Sequence, residues 1–201
     1  MFRYFVILIV VIPVFLVGNL IEIDIDGGLD FTSIQEAIES SVSGDTLLVY
    51  PGIYEELINY GGRDIVVISL YYATGDSSYI EDTIITGNEE GCVVTFENME
   101  SSEAILGGFT IRDGLGSLYP DYSSGGISCL YFSSPTLRDL KITSNHYGAS
   151  GGIYCEYSDP LIENCHIFYN HGHQAYYGGG ITLYHSNAFI RGCVIEINHV
   201  Y

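Results

Sequence analysis

The chain has 201 residues, which is enough for one domain with a sizeable core. Apolar residues make up 47% and charged residues 15%, a composition that excludes intrinsic disorder. The 25 acidic residues against six Lys and Arg give a net charge of −19, which repels nucleic acids and anionic lipid surfaces and excludes a nucleic-acid partner. The 24 Gly and 18 Tyr, with no Trp, indicate a turn-rich β protein.

Residues 1–18 have the layout of a signal peptide. Arg3 precedes an apolar run from Tyr4 to Val17, and the small Gly18 follows it. The run of 14 residues is shorter than the roughly 20 that a membrane-spanning helix needs. The segment therefore predicts export, with the protein secreted or at the cell surface and no membrane span once the signal is removed. An uncleaved anchor is the alternative.

Three aspartates near the start of the remaining chain, Asp24, Asp26 and Asp30, alternate around a Gly pair in the manner of a calcium loop. An EF-hand loop needs Glu at its twelfth position, and counted from Asp24 that position is Gln35. The EF-hand is therefore excluded and we predict no cofactor. Weak calcium binding at the acidic surface stays open as an alternative.

A short amphipathic helix is predicted next. Ser33 to Glu36 form a capping box, Ile34, Ala37 and Ile38 share one helical face, and Gly44 comes just past the end. Such a helix would cover the apolar cross-section at the start of a stack of strands. Alternating or continuous apolar runs predict the strands that follow, over Thr46 to Tyr50, Ile65 to Leu70 and Val93 to Phe96.

The second half of the chain repeats. A Gly-Gly-Ile motif starts at positions 125, 151 and 179, in steps of 26 and 28 residues. A second block with alternating apolar residues follows each motif and ends at Asn145, Asn170 and Asn198, each followed by a His. A period near 26 with short strands predicts a parallel β-solenoid of roughly six to seven coils, stacked about 4.8 Å apart. Equivalent residues should form vertical columns, among them Gly126, Gly152 and Gly180, and the three Asn.

The early part of the chain carries a family resemblance. The run DGGLDFTSIQEAIESSVSGDTLLVYPGIYEE, from Asp26 to Glu56, resembles the entry segment of the pectin lyase-like right-handed parallel β-helix superfamily. Gly87 after TIIT and the GFTI at Gly108 to Ile111 are similar to its early coils. The resemblance implies an all-β, right-handed parallel β-helix with a short N-terminal capping helix, forming one domain over residues 19–201. Function does not follow, because the superfamily holds lyases, hydrolases, esterases, adhesins and inert surface proteins.

The entry segment is most similar to that of the pectin methylesterases, and this resemblance implies two catalytic Asp with Gln residues holding the oxyanion. The chain contains only Gln35, on the predicted helix, and Gln174, in a turn. The family's QDTL stretch has no match here. The esterase chemistry therefore carries over to no residue of this chain.

The chain also lacks a clear set of residues for lyase or hydrolase chemistry. A lyase needs a strong base near acids that hold calcium, and Arg138 and Arg191 occupy equivalent outward slots that we interpret as solvated strand positions. A hydrolase needs paired carboxylates on neighbouring coils. The aspartates near turns do not recur in one column, and we interpret them as turn formers: Asp113, Asp121, Asp139 and Asp159.

The histidines suggest a metal site only weakly. Their spacing, with Asn170 among them, fits no known ligand pattern, and we interpret them as polar turn residues: His166, His171, His173 and His185. The sequence therefore predicts no metal ligand and no catalytic or cofactor-binding residue.

Four of the five Cys fall into two columns. Cys129 and Cys155 are 26 residues apart, and Cys165 and Cys193 are 28 apart, so each pair would be stacked on adjacent coils. Disulfides and buried thiols are both compatible with this spacing. Buried thiols are favoured because Leu140 and Leu183 replace Cys in the same columns.

Two classes of function remain. The first is an exported, non-catalytic β-helix that acts as a cell-surface scaffold, adhesin or glycan-contacting module, with extracellular glycans or surface proteins as partners. Neutral glycans could stack on rings such as Tyr154, Tyr157 and Tyr184. The alternative is a polysaccharide lyase or glycoside hydrolase. Because the sequence ends three residues after Asn198, inside a repeat, we also expect the domain to be truncated or uncapped at this end.

Overall fold

The computed structural model of the protein describes residues 18–118, 122–173 and 178–200. The predicted signal segment, apart from Gly18, lies outside the described residues, as do Asp121 and Gln174. Within the described ranges, no helix is both long enough and apolar enough to cross a membrane.

In chain order the elements are β1 (Leu20–Ile23), α1 (Ile34–Ser40), β2 (Thr46–Val49), β3 (Gly52–Glu55), β4 (Ile58–Asn59), β5 (Val66–Ser69), α2 (Tyr71–Thr74), α3 (Ser78–Asp82), β6 (Thr83–Thr86), β7 (Val94–Phe96) and β8 (Ile105–Gly107). They continue with β9 (Thr110–Arg112), β10 (Leu115–Gly116), β11 (Ile127–Leu130), β12 (Thr136–Arg138), β13 (Lys141–Thr143), β14 (His146–Tyr147), β15 (Ile153–Glu156), β16 (Leu161–Glu163), β17 (His166–Phe168), β18 (His171–Gly172), β19 (Ile181–Tyr184), β20 (Phe189–Arg191), β21 (Val194–Glu196) and β22 (His199–Val200).

The strands form four parallel sheets. Sheet A is β1-β2-β5-β8-β12-β16-β20, sheet B is β3-β6-β9-β13-β17-β21, sheet C is β4-β7-β11-β15-β19, and sheet D is β10-β14-β18-β22. A complete coil passes through A, B, D and C in turn, as β12, β13, β14 and β15 do. The result is a β-solenoid of about six turns, which confirms the predicted fold class.

The core runs along the solenoid axis as columns of apolar side chains. Leu106, Leu137 and Ile162 form one fully buried column in sheet A. Sheet B contributes a second column, Ile111, Ile142 and Ile167. The alternation that predicted strands is therefore the alternation between core and surface, because successive strand residues point to opposite faces.

Helix α1 begins where the capping box was predicted. The Ser33 hydroxyl accepts a hydrogen bond from Glu36 N at 3.2 Å, and Ile34, Ala37 and Ile38 are buried against the first strands. The second half of the cap comes from a distant residue. The Glu56 carboxylate accepts from the backbone N–H groups of Ile34 and Gln35 and from the Ser33 hydroxyl, at 2.8 to 3.0 Å. This contact ties the helix to the first coil.

A two-helix insertion between β5 and β6 was not predicted. Helices α2 and α3 have four and five residues, too few to show an amphipathic period in the sequence. The insertion is attached to later coils through polar side chains: Tyr72 donates to the Asp139 carboxylate, and Lys141 pairs with Glu81. It thereby covers part of the corner between sheets A and B.

An asparagine ladder lies at the turn between sheets B and D. Asn145 Nδ2 donates to Asn170 Oδ1 at 2.9 Å, and Asn170 Nδ2 donates to Asn198 Oδ1 at 3.0 Å. Each Oδ1 also accepts the backbone N–H of the residue one coil earlier, with Gly114 N completing the series at 3.0 Å. Asn145 and Asn170 are fully buried. The predicted Asn column is confirmed, and its amides satisfy turn backbone that water does not reach.

The Gly-Gly motifs that start at positions 125, 151 and 179 form a corner of the solenoid, which we call the Gly-Gly corner and which faces this ladder. A Cβ on Gly126 would lie 2.5 Å from Gly152 O, and one on Gly152 would lie 2.3 Å from Gly180 O. Both distances are closer than a side chain tolerates, so the predicted Gly column is confirmed and explained by close backbone approach.

Asp45 joins the first two strands of sheet A. Its Oδ1 accepts from Asn19 N at 2.7 Å and from Asn19 Nδ2 at 3.1 Å, while Oδ2 accepts from Val42 N at 2.9 Å. The side chain is nearly inaccessible to solvent. The backbone N–H groups of Val42 and Asn19 lower the pKa of this carboxyl below its ordinary 3.8, against the opposing effect of burial.

The first prediction tests the ladder. We expect Asn170→Ala to lower the free energy of unfolding by about 1 to 3 kcal/mol, because it leaves buried partners on Asn145 and Ile142 unsatisfied. Urea unfolding followed by circular dichroism measures the change. The exposed Asn187 provides the control, and its replacement by Ala should stay within about 0.5 kcal/mol of the parent. Equal stability of the two variants would show that the ladder is solvated.

The second prediction tests Asp45. The folded-state pKa lies below the unfolded-state value, so the stabilisation is present above pH 3.8 and is lost as pH falls through the folded-state pKa. Asp45→Asn keeps one acceptor oxygen where the parent has two. We expect the variant to be less stable at neutral pH and the difference to shrink as the pH is lowered below 3.8. A stability difference that is independent of pH would contradict the role of the carboxylate charge.

Candidate functional site

A cavity of about 400 Å³ lies on the outer face of sheet C. Its floor includes Asn59, Thr95 and Ser128, which occupy one outward column of adjacent strands. The Asn59 amide donates to the Glu97 carboxylate at 2.8 Å, and the Cys92 thiol donates to Ser128 Oγ at 3.3 Å. The surface therefore offers amide, hydroxyl and carboxylate groups side by side.

A second cavity of about 190 Å³ lies beside the first on the same face. It is lined by Tyr122, Tyr154, Glu156 and Tyr184, and Tyr122 lines both cavities. The Tyr154 hydroxyl donates to Glu156 Oε2 at 3.3 Å. The two cavities form a groove across several coils that changes from polar side chains to aromatic rings, and we call it the sheet C groove.

Exposed rings continue from the groove onto the turn between sheets C and A. The Tyr157 ring is stacked on His185 at 4.9 Å with an angle of 7° between the planes, and it contacts Phe132 at 6.1 Å and Tyr184 at 6.2 Å. Phe132 is 70% exposed, Tyr184 46% and Tyr157 43%. We call these four residues the aromatic corner. Its rings succeed one another from coil to coil, at a rise of about 4.8 Å.

The three Tyr that were singled out as glycan contacts are brought together here. Tyr154 and Tyr184 line the sheet C groove, and Tyr157 lies at the aromatic corner beside Tyr184. Tyr154 itself is nearly buried, at 2% exposure, so it shapes the groove wall more than it offers a free ring face.

The candidate lyase bases occupy the predicted outward column of sheet A. Arg138 pairs in register with Glu163, and Glu163 with Arg191. Arg191 Nη2 lies 2.7 Å from Glu163 Oε1, and the Arg138 guanidinium lies over the Tyr72 ring at 4.8 Å. Arg138 is therefore packed against α2 rather than solvated as we predicted. The column lies on a different sheet from the groove.

The aspartates within the described ranges lie at turns, as predicted. Asp113 and Asp139 have left-handed backbone conformations with φ of 54° and 53°, and Asp159 accepts from Asn187 N at 2.6 Å. Asp139 also accepts from Asn164 Nδ2 at 3.3 Å. Gln35, the one described Gln, links α1 to Asn59 N at 2.8 Å and holds no oxyanion site.

The interpretation of the histidines as turn residues is wrong for two of the four. His166 belongs to β17, where it contacts Glu196 at 3.0 Å, and His171 belongs to β18. His173 and His185 lie at bends or loops outside the strands. The sequence pattern misled because β18 has only two residues, too few to show alternation.

Metal binding by the acidic loop finds no support. Asp24 and Asp30 accept backbone N–H groups of Asp26 and Glu22, at 3.0 and 2.9 Å, and so brace the loop. Across the described ranges, no three His, Cys, Asp or Glu side chains are placed to hold one metal ion together.

All five Cys are free thiols in the structure. Cys129 and Cys155 are paired in register in sheet C, and Cys165 N donates to Cys193 Sγ at 3.4 Å. Burial raises the pKa of Cys129 well above its usual value, which keeps the thiol protonated. The column arrangement is as predicted. Cys129, Cys155 and Cys165 are buried, whereas Cys92 and Cys193 are partly exposed.

Sequence reasoning missed the polar half of the groove. Asn59, Cys92 and Glu97 precede the clear repeats, and Tyr122 lies in a connection between sheets D and C whose length varies from coil to coil. These residues could have been found from their positions in the sequence, because each lies at the end of, or close to, a strand that can be aligned with the other strands of sheet C.

The comparisons with known proteins agree with the fold. No curated protein matches the chain. The family model described as the right-handed β-helix region matches residues 61–201, more than half of the chain. The resemblance to the pectin lyase-like superfamily is therefore supported at the level of fold. With its stacked parallel sheets and this match over coils two to six, the chain belongs to the right-handed β-helix family.

Proposed function

We propose that this protein is exported and acts at the cell surface as a non-catalytic scaffold or adhesin that contacts a neutral glycan through the sheet C groove and the aromatic corner. The observation that carries the proposal is the succession of exposed rings, Phe132, Tyr157, Tyr184 and His185, beside a groove lined by hydrogen-bonding groups. Aromatic faces pack on the apolar faces of sugars, while the amide and carboxylate groups can bond sugar hydroxyls.

Charge supports a neutral ligand. The groove contains the carboxylates Glu97 and Glu156, and none of the residues that line its two cavities is Lys or Arg. With a net charge of −19, the chain repels polyanionic glycans, whereas an uncharged polysaccharide meets no such barrier. Export is supported by the layout of residues 1–18.

Solenoid geometry suits an extended ligand. Sheet C repeats its outward positions once per coil, so a linear glycan lying along the axis would meet a regularly spaced series of side chains, polar at one end and aromatic at the other. The rings are held by stacked backbone and lose little conformational freedom on binding, which favours affinity.

The third prediction tests the aromatic corner. On a glycan array, we expect the chain to bind neutral glycans, and Tyr157→Ala to weaken the tightest of these interactions about tenfold through loss of ring contact. Tyr157→Phe keeps the ring and should retain most of the affinity.

Tyr169 supplies a matched control for this experiment. It is a Tyr of similar exposure, 49%, and similar left-handed φ, 53° against 49° for Tyr157, but it lies at another turn of the solenoid. Tyr169→Ala should bind as the parent does. Equal losses in the two Ala variants, or no neutral glycan bound by the parent, would refute the proposed surface.

A hydrolase is the second candidate, and one observation favours it. Glu156 pairs in register with Leu130 on the preceding coil. Glu97 directly follows Phe96, which pairs with Cys129, so Glu97 lies one coil before Leu130. The two Glu are therefore two coils apart, which separates their backbones by about 9.6 Å along the axis. Carboxyl groups of inverting glycosidases are separated by about 6.5 to 9.5 Å, a range that two Glu side chains leaning toward each other would reach from this spacing.

The fourth prediction separates the two functions. We expect no turnover of the neutral glycans that the array identifies, nor of pectin, polygalacturonate or alginate with or without calcium, when unsaturated products, reducing ends and released methanol are followed. Turnover that is lost in Glu156→Gln would establish the hydrolase. Loss in Arg138→Ala or Arg191→Ala would instead assign the reaction to sheet A.

A further inference from the structure

Sheet D carries a column of histidines that the proposed glycan surface does not use. His146, His171 and His199 pair in register on adjacent strands. The ring centroids of His146 and His171 are 5.5 Å apart, and those of His171 and His199 are also 5.5 Å apart. We call these three residues the histidine ladder.

A cavity of about 170 Å³ opens beside the ladder. Leu115, His146, Tyr147, His171 and His173 line it. The His173 ring packs edge-on against Tyr147 at 4.2 Å, and its Nδ1 is buried without a hydrogen-bond partner among the described residues. A buried nitrogen without a partner is costly, and a water molecule or another polar ligand beside the ring would offset that cost.

The ladder spacing suits a shared metal ion. Two imidazole nitrogens bound to a tetrahedral ion at about 2.0 to 2.1 Å lie about 3.3 Å apart, which places the ring centroids about 5 to 6 Å apart. The observed ring spacing of 5.5 Å falls in this range. One nitrogen of each ring is enough for ligation, and the other can keep its hydrogen bond.

The chemistry of the lining also suits a transition metal, because imidazole nitrogen is a ligand that such ions prefer. The cavity lining includes no Asp or Glu, so it selects ions that prefer nitrogen over Ca²⁺ or Mg²⁺.

We propose that the histidine ladder binds a divalent transition-metal ion between neighbouring imidazoles, with water completing the coordination. The ligands meet in pairs, His146 with His171 and His171 with His199, rather than in a group of three. His171 belongs to both pairs and is the central ligand. The negative net charge of the protein raises the local concentration of cations.

The fifth prediction follows from the central position of His171. Isothermal titration of the untagged chain with CuCl₂, NiCl₂ or ZnCl₂, in excess Ca²⁺ to occupy surface carboxylates, should show binding that weakens at least tenfold in His171→Gln. The double variant His146→Gln/His199→Gln should lose about as much, because it also removes both ladder pairs.

His166→Gln is the matched control. His166 is also a half-exposed strand histidine in the same coil, but it lies in sheet B against Glu196. This variant should bind as the parent does, and circular dichroism should show all variants folded. Unchanged affinity in His171→Gln or in the double variant, or an equal loss in His166→Gln, would overturn the proposed site.

Discussion

In-register stacking is the constraint on which the rest of this structure depends. Each strand pairs in parallel with the equivalent strand of the next coil, so a side chain meets its own counterpart about 4.8 Å away. Where a residue type recurs at the same position of successive coils, it forms a continuous column along the axis. Apolar types become a continuous core, amides become a hydrogen-bonded ladder, and aromatic or imidazole rings become stacks. The residue type that recurs at one position of the repeat therefore determines the composition of a whole column along the solenoid axis.

Two of these columns must fit each other across the solenoid. The buried amides of Asn145 and Asn170 occupy the space that the Gly-Gly corner leaves, and a Cβ on Gly126 would lie only 3.1 Å from Asn145 Nδ2. The Gly residues therefore allow close approach, and the Asn residues satisfy the turn backbone that this approach removes from water. Because the two motifs are in contact in each coil, they recur together at the same period.

The later coils could be predicted from the sequence because their repeats are well preserved. The columns of Asn170, Gly152 and Cys155 follow directly from aligning equivalent blocks. The early coils were harder, since α2 and α3 interrupt the period and β3 and β4 lie next to turn residues. Tyr154, Tyr157 and Tyr184 were named in advance, but their grouping with Glu97 and Tyr122 depends on how connections of unequal length fold over sheet C. The recurrence of a His after each ladder Asn was visible in the sequence, but the cavity beside these rings depends on how the neighbouring connections fold.

The connection between sheets D and C differs in length from coil to coil. It has 10 residues between β10 and β11, five between β14 and β15, and eight between β18 and β19. The strands on either side keep their register despite these differences. Lengthening a loop costs little conformational entropy, so the connection between sheets D and C can take up insertions while the flanking strands keep their register. Because the same edge borders the groove through Tyr122, a change in the length of this connection would reshape the groove while the strands that form its floor keep their register.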